Sequence, residues 1–193
     1  ARYGVSNIDL HLTKGIPMGA GLGGGSADAA YTAKTLNQLF DLNLQDEELE
    51  ALCAEVGSDC PFFVKDIAQF CEGRGERLSA HPLDLSGLWL VAVNPGIHIA
   101  TGSAYQNADH SGPFNHNSIS RDNIESWSGL IKNDFERFAF SEHPEIAKIK
   151  GQMLNAGAVY SAMSGSGSTV FGLFREQQSL SWAFHYQVWN EQL

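Results

Sequence analysis

The residues best suited to chemistry lie in a glycine-rich stretch at positions 17–30, which reads PMGAGLGGGSADAA. Five of its residues between positions 19 and 25 are glycines. Apolar and polar residues alternate before it, at 8–13, as in a half-buried strand, and apolar residues recur at helical spacing after it as far as Phe40. Ser26 stands where a helix N-cap is expected. Glycines let backbone N–H groups approach an anion closely, and a helix N-terminus adds partial positive charge, so the stretch predicts a phosphate-binding loop.

Other interpretations of this stretch fit less well. A flexible linker would not be flanked by patterned elements on both sides. The Walker A loop requires a Gly-Lys pair, which the chain lacks. The dinucleotide fingerprint matches at Gly19, Gly21 and Gly24, but Asp41 does not end a second strand as that fold requires. The His-Arg-Asp and Asp-Phe-Gly motifs of protein kinases are also missing from the sequence.

The pattern that remains, Pro-x-Gly-x-Gly-Leu-Gly-Gly-Gly-Ser, resembles the second motif of the galactose, homoserine, mevalonate and phosphomevalonate (GHMP) kinases. The doubled glycine and the Asp-Ala-Ala that follows are most similar to the branch that phosphorylates a cytidine diphosphate-linked methylerythritol in non-mevalonate isoprenoid synthesis. This resemblance implies ATP and Mg²⁺ as cofactors, with the Ser26 hydroxyl as a candidate Mg²⁺ ligand. It implies that the loop wraps the ATP phosphates through Pro17, Met18, Gly19, Ala20, Gly21, Leu22, Gly23, Gly24, Gly25, Ser26 and Ala27.

A single carboxylate, Asp59, stands out in the sequence GSDCPFF. Local sequence leaves two interpretations open: an N-cap for a short turn that begins at Pro61, or a partly desolvated functional carboxylate. The same branch of the GHMP kinases carries its catalytic aspartate in Gly-(Ala/Ser)-Asp-x-Pro-Phe-Phe. The resemblance therefore implies that Asp59 is the general base and contacts the substrate.

Two segments in the second half of the chain are further candidates for the site. In the related branch a threonine matching Thr101 lies near the substrate, and an aromatic ring matching Tyr105 stacks on its cytosine. From the sequence alone, Tyr105 is equally well a core aromatic residue. The Ser-Gly-Ser-Gly-Ser-Thr run at 164–169 is either a hairpin turn or the counterpart of the superfamily's third motif, which would bring Gly165, Ser166 and Gly167 to the active site.

Composition limits the classes of partner. The 193 residues carry a formal net charge of −10, which argues against a nucleic-acid-binding protein. A polyanionic nucleotide must then be held by backbone amides and a divalent metal. No apolar run suits a membrane span, no signal peptide is apparent, and three cysteines without metal-ligand spacing predict reduced thiols in a cytoplasmic protein. We expect small-molecule partners only, and a monomer or weak homodimer.

The resemblance implies an α+β protein with the GHMP-kinase fold. An incomplete N-terminal ATP-binding domain, similar to domain 2 of ribosomal protein S5, would cover residues 1–85, and a ferredoxin-like C-terminal domain would cover 86–193. Among the local patterns, helices are predicted at 46–56, 124–138 and 144–156, and a closing amphipathic helix is predicted through Trp182 and Trp189. A strand, a glycine turn and a second strand are predicted at 68–78, and an irregular loop is predicted at 106–123.

Two expectations about activity remain open at this stage. The family's first motif, with a catalytic lysine and a substrate-contacting histidine, is expected to lie outside this chain, so the sequence predicts an N-terminally truncated member. The alternative functions are a sister kinase of the homoserine or mevalonate type and a non-catalytic nucleotide-binding fragment.

Overall fold

The computed structural model describes residues 3–109, 111–112 and 115–193. These residues form two compact units: one contains the chain up to Met18 together with Gly23–His81, and the other contains Gly19–Leu22 together with Pro82–Leu193. The glycine-rich stretch thus contributes to both units. The division between His81 and Pro82 falls shortly before position 85, where the sequence predicted the end of the first domain.

The first unit is built on two helices, α1 at Gly24–Leu39 and α2 at Asp46–Val56. Three acidic residues occupy the first turn of α2, where their negative charge interacts favourably with the positive end of the helix dipole. A capping box also closes this end, because the Gln45 amide donates to Glu48 Oε2 at 3.0 Å. The helix predicted over 46–56 is confirmed. A small core joins the two helices to the following segment through Ala30, Leu49, Cys53, Cys60 and Val64.

A short 3-10 helix at Cys60–Phe63 and a hairpin complete this unit. Strands β1 at Gln69–Glu72 and β2 at Arg77–Ala80 pair antiparallel, with Glu72 opposite Arg77. The Gln69 side chain donates to the Phe62 carbonyl at 2.9 Å and ties the hairpin to the 3-10 helix. The strand–glycine turn–strand pattern expected at 68–78 is therefore present.

The strand expected at 8–13 does not form. Leu10 and Leu12 are 65% and 57% exposed, and no strand is assigned to this segment. A strand needs a neighbour to satisfy its backbone N–H and C=O groups. In the described part of this unit the two strands, β1 and β2, pair with each other.

The second unit is a four-stranded antiparallel sheet in the order β4-β5-β3-β6. Its strands are β3 at Trp89–Asn94, β4 at Tyr160–Met163, β5 at Val170–Phe174 and β6 at Gln187–Gln192. Helices α3 at Thr101–Gln106, α4 at Trp127–Leu130, α5 at Glu136–Glu142 and α6 at Pro144–Asn155 accompany it, with 3-10 helices at His116–Ser118 and Arg121–Ser126. The irregular loop predicted at 106–123 lies partly outside the described residues.

Both faces of the sheet are covered, because successive side chains of a strand point to opposite faces. On one face Val91 and Val93 join a core with Ile146, Ile149 and Met153 of α6. On the other, a second cluster contains Leu88, Ile124, Trp127, Tyr160, Ala162 and Leu173. The sheet therefore lies between α5–α6 and the segment around α4.

Two helix predictions in this unit need correction. The helix expected at 124–138 is divided into the 3-10 helix, α4 and α5, with residues 131–135 non-helical between them. The amphipathic helix expected near the end of the chain is instead strand β6, which pairs antiparallel with β3 and places Trp189 opposite Ala92. Residues 187–192 form a strand because they pair along the otherwise open edge of β3. The local sequence pattern does not show that such an edge is available.

Ile146 of α6 is completely buried, so its truncation tests the packing of α6 on the sheet. We expect Ile146→Val to lower the free energy of unfolding by about 1 kcal/mol, because it removes one buried methylene group. Ile67→Val, at a position that is 48% exposed, is the control and should change the stability little. Denaturant unfolding followed by circular dichroism measures both. Equal stability of the two variants would contradict the packing described here.

Across the described residues, no helix is both long enough and apolar enough to cross a membrane.

Candidate functional site

The middle of the glycine-rich stretch lies directly on the second glycine-rich loop. Within the second unit, the Ser164 hydroxyl donates to the Gly21 carbonyl at 2.8 Å and the Thr169 amide donates to the Ala20 carbonyl at 3.1 Å. Ala20 is buried. The structure therefore brings two of the segments singled out in the sequence, 19–22 and 164–169, into backbone contact.

Only glycine fits at this contact. A Cβ atom on Gly21 would lie 2.3 Å from the Ser164 carbonyl oxygen and 2.7 Å from that of Gly167. A Cβ atom on Gly165 would lie 3.1 Å from the Gly21 oxygen. Gly21, Gly165 and Gly167 also have φ angles of +76°, +52° and +94°, in the region that side chains other than glycine rarely adopt. Residues 164–169 also connect the antiparallel strands β4 and β5, so the hairpin turn considered for this run is present, with the packing on Gly21 in addition.

The later residues of the stretch begin helix α1 in the first unit. Gly23, at φ +63°, precedes the helix, so α1 starts at Gly24 and Ser26 lies inside its first turn. The prediction that Ser26 is the N-cap is wrong, because the left-handed glycine starts the helix earlier, and the structure has no side-chain cap bond there. The first amides of a helix have no acceptor within it, so the start of α1 presents backbone donors suited to an anion.

A lysine lies beside these amides. Lys14 forms an ion pair with Asp28, and its Nζ lies 3.4 Å from the position of a Cβ atom on Gly24. This pair places a cation close to the start of α1 in the first unit. Lys14 could not be recognised from the sequence, since a single lysine upstream of a glycine loop carries no distinctive pattern.

Asp59 precedes the 3-10 helix at Cys60–Phe63 without capping it, since its side chain makes no cap hydrogen bond. The carboxylate is exposed, so the expected partial desolvation is wrong for this structure. Across from it, the turn between β1 and β2 comes so close that a Cβ atom on Gly75 would lie 2.6 Å from Asp59 Oδ1. Gly75 has φ +115°. The turn thus contacts Asp59 with its bare backbone, and a side chain at Gly75 would displace the carboxylate.

The negative charge of Asp59 also affects the pKa of the Cys71 thiol on β1. Cys71 is exposed, but neighbouring atoms partly desolvate its sulfur, and this desolvation together with the negative charge of Asp59 raises the pKa of the thiol. Both effects disfavour the thiolate.

We therefore expect Asp59→Asn to lower the pKa of Cys71 and to speed its alkylation at pH 8, because removing the negative charge increases the thiolate fraction. The measurement is the rate of iodoacetamide labelling between pH 7 and 10. Asp41→Asn, at another exposed acid of the first unit, is the control and should leave the rate unchanged. Cys53 and Cys60 are buried, so Cys71→Ser should remove the fast-reacting thiol. An unchanged labelling profile in Asp59→Asn would show that the charge does not act on Cys71.

The two other predicted substrate residues lie on α3 in the second unit. Thr101 is the first residue of this helix and is exposed. Tyr105 is 66% exposed and contacts the Phe135 ring edge to face, with 5.0 Å between the ring centroids. The interpretation of Tyr105 as a core aromatic residue is wrong. Most of its surface is open to solvent.

Sequence reasoning missed two residues beside the paired glycine loops. A Cβ atom on Gly19 would lie 3.2 Å from His98 Nδ1, which places the imidazole next to the glycine-rich stretch. Asn133 donates to the carbonyl oxygens of Met163 and Gly165. No sequence pattern marks either residue, because both contacts join segments that are far apart in the chain.

The described residues contain no group of three histidine, cysteine, aspartate or glutamate side chains that could hold a metal ion. A divalent cation here would need most of its ligands from phosphate oxygens and water, which is how Mg²⁺ is usually bound beside a nucleotide.

Comparison with known proteins agrees with this arrangement of glycine loops. Residues 1–66 match the profile of the GHMP kinases N terminal domain, and residues 117–181 match that of the GHMP kinases C terminal domain. The matches define the class of protein as a GHMP kinase, and the predicted α+β fold is confirmed.

Similar proteins narrow the class further. The chain is 43% identical to 4-diphosphocytidyl-2-C-methyl-D-erythritol kinase of Cytophaga hutchinsonii over 99% of this chain and 70% of that protein. It is 41% identical to the kinase of the same name from Bacteroides thetaiotaomicron, over 90% of this chain and 64% of that protein. The chain belongs to the 4-diphosphocytidyl-2-C-methyl-D-erythritol kinase family of the GHMP kinases. It spans about two thirds of the length of these relatives.

Solved structures give the same result. A crystal structure of 4-(cytidine 5'-diphospho)-2C-methyl-D-erythritol kinase is similar with a TM-score of 0.69 and 34% identity, over 83% of this chain and 59% of that one. A homoserine kinase from Cytophaga hutchinsonii is similar with a TM-score of 0.58 and 18% identity, over 83% of this chain and 58% of that one. The second likeness shows the shared fold alone.

Proposed function

We propose that this chain takes part in transfer of the γ-phosphoryl group of ATP to the 2-hydroxyl of 4-diphosphocytidyl-2-C-methyl-D-erythritol, a step of non-mevalonate isoprenoid biosynthesis. The observation that carries the proposal is the backbone contact between the two glycine loops at Gly21 and Gly165, in a chain of this kinase family. The homoserine and mevalonate kinase alternatives have less support, because the identity to a homoserine kinase structure is only 18%.

Backbone amides are assigned the main role in holding ATP. The amides of Gly19 to Ser26 would surround the phosphates, with Pro17, Met18 and Ala27 at the ends of the binding stretch. A net charge of −10 supports this assignment, since the chain has few cations with which to neutralise a polyphosphate. Ser26, in the first turn of α1, would help to hold Mg²⁺. A cation held there would supply positive charge to offset the charge that develops on the phosphate oxygens.

The remaining residues are assigned to the substrate. Asp59 would accept the proton of the attacking hydroxyl, and its exposed carboxylate is open to a ligand. Thr101 would contact the substrate, and the exposed ring of Tyr105 would stack on the cytosine ring. Gly165, Ser166 and Gly167 would border the reacting groups through their backbone. Phosphoryl transfer has a loose transition state, so these contacts act mainly by positioning.

We place the protein in the cytoplasm as part of the same proposal. Cys53, Cys60 and Cys71 are free thiols, which is typical of a reducing compartment.

The test is ADP release from ATP in the presence of 4-diphosphocytidyl-2-C-methyl-D-erythritol, homoserine or mevalonate. It is run on this chain and on a form extended to the full length of its relatives. Turnover is expected with 4-diphosphocytidyl-2-C-methyl-D-erythritol, the cytidylyl substrate, and not with homoserine or mevalonate. Cytidine diphosphate should compete with the cytidylyl substrate. Turnover with homoserine or mevalonate instead would support a sister kinase. ATP binding without turnover in either form would leave a nucleotide-binding module and contradict the kinase proposal.

A further inference from the structure

A hydrogen-bonded cluster in the second unit joins the segment before α5 to the second glycine loop. The Asn133 side-chain amide donates to the carbonyl oxygens of Met163 and Gly165, both at 2.7 Å. The Phe135 amide donates to Asn133 Oδ1 at 2.9 Å, which fixes the orientation of the side chain. The Asn133 side-chain nitrogen therefore bonds to the start of the loop, while its side-chain oxygen accepts the bond from the Phe135 amide.

Glu136, the first residue of α5, also binds the Met163 backbone at the start of the loop. Its Oε1 accepts a hydrogen bond from the Met163 amide at 2.8 Å, and its Oε2 pairs with Lys150 Nζ of α6 at 2.6 Å. The side chains of Glu136 and Lys150 are only 15% and 25% exposed. Hydrogen bonds to ionised groups that are shielded from water are stronger than neutral ones, so this pair anchors the end of β4 to α6.

The loop held in this way supports the glycine-rich stretch directly. It contacts Gly21 through the Ser164 hydroxyl and Ala20 through the Thr169 amide. The loop also has its own bonds, since the Ser164 amide donates to the Thr169 carbonyl at 2.8 Å and the Gly167 amide donates to the Ser164 carbonyl at 2.9 Å. Gly165 and Gly167 occupy left-handed conformations, and glycine has many other accessible states, so these bonds leave entropy to be lost between them. A flexible loop loses conformational entropy when it becomes ordered around a ligand, and contacts that order it beforehand reduce this cost.

We propose that Asn133 and Glu136 are positioning residues of the nucleotide site: they fix residues 164–169, and through them Gly19–Leu22, in the conformation that receives ATP. The functional part of this proposal rests on the proposed kinase function. Neither residue needs to touch the nucleotide, because both act through the second glycine loop.

The test compares two asparagine variants that undergo the same chemical change. Asn133→Asp keeps the acceptor for the Phe135 amide but loses the donors to Met163 and Gly165. Asn123→Asp is the matched control: it keeps the acceptor for the Ser120 amide and loses a donor to the Ser118 carbonyl, and both of these partners lie outside the glycine loops. Glu136→Gln is a second variant in the same cluster, and it removes the negative charge that pairs with Lys150.

Three measurements separate positioning from general stability. Amide hydrogen exchange reports the order of residues 164–169 and 19–22 without any ligand. Titration with Mg²⁺–ATP reports binding, and thermal unfolding reports any overall loss of stability. We expect Asn133→Asp to speed exchange in both segments, because two hydrogen bonds that hold the loop are lost, and to weaken ATP binding about tenfold, which corresponds to about 1.4 kcal/mol. Asn123→Asp should bind ATP within about twofold of the unaltered chain.

Each outcome decides a separate part of the proposal. Unchanged exchange in both Asn133→Asp and Glu136→Gln would show that the cluster does not order the loop. Faster exchange with unchanged ATP affinity would overturn the positioning role while leaving the structural contact in place. Weak binding in Asn123→Asp as well would assign the effect to general destabilisation. If the unaltered chain fails to bind ATP, the proposed function itself is wrong, and the exchange rates still decide whether the cluster orders the loop.

Discussion

Asp59→Asn is expected to lower kcat for the cytidylyl substrate by about 10²–10⁴-fold, the usual range for loss of a general base. Asparagine keeps the size of the side chain but cannot accept the proton of the hydroxyl. Because Asp59 is exposed and caps no helix, the fold should not depend on its charge. The KM for ATP should therefore stay within about twofold, since that interaction is assigned to backbone amides.

The measurement is steady-state ADP release by the turnover-competent form, with each substrate varied in turn. Asp41→Asn is the control, at an exposed residue of the same unit with φ +48°, a conformation that asparagine accepts readily. Equal kcat values for Asp59→Asn and the parent would exclude Asp59 as the base. A large increase in the KM for ATP would instead indicate that Asp59 acts in nucleotide binding.

Gly21→Ala should weaken ATP binding by at least about 30-fold, because the change costs about 2 kcal/mol or more in the geometry of the loop. The added Cβ atom would meet the Ser164 carbonyl oxygen at 2.3 Å and the Gly167 carbonyl oxygen at 2.7 Å, both of which are backbone atoms. The φ angle of +76° is strained for alanine in addition. The two glycine segments must then separate, and the amides of residues 19–22 would leave the positions that ATP requires.

Calorimetric titration with Mg²⁺–ATP measures this effect. Gly151→Ala is the matched control, since Gly151 lies within α6. Apart from its chain neighbours and the backbone of its own helix, no heavy atom of the described residues lies within 4 Å of the added Cβ. Alanine is favoured over glycine inside a helix, so this control should unfold at the same or a higher temperature and bind ATP as the parent does. Normal ATP affinity in Gly21→Ala would mean that the close contact of the two loops has no part in nucleotide binding.

Several elements could be predicted from the sequence because their information is local. Helix α2 has acids in its first turn and an apolar stripe, and α6 begins with Pro144 as predicted. The β1–β2 hairpin follows from two short strand patterns around Gly73 and Gly75. In each case the residues that define the element also supply its caps or its turn, so a short window of sequence contains the signal.

Other elements depended on partners elsewhere in the chain. The alternating residues at 8–13 have the pattern of a strand but no neighbour to pair with among the described strands, whereas 187–192 became strand β6 because β3 offers it an edge. A short apolar run fits a helix or a strand equally well until its neighbours are known.

The sequence by itself determined the kind of site, because three of its features resemble those of the GHMP kinases: the glycine pattern at 19–25, Asp59 before Pro-Phe-Phe and the second glycine run at 165–167. Only the tertiary structure decided how these parts are held. It showed that Gly21 must lack a side chain because of Ser164 and Gly167, that Gly75 leaves room for the Asp59 carboxylate, and that Asn133 holds Gly165. The physical reason is that glycine motifs encode backbone conformations locally, whereas a close approach or a hydrogen bond between distant segments leaves no pattern in the sequence around either partner.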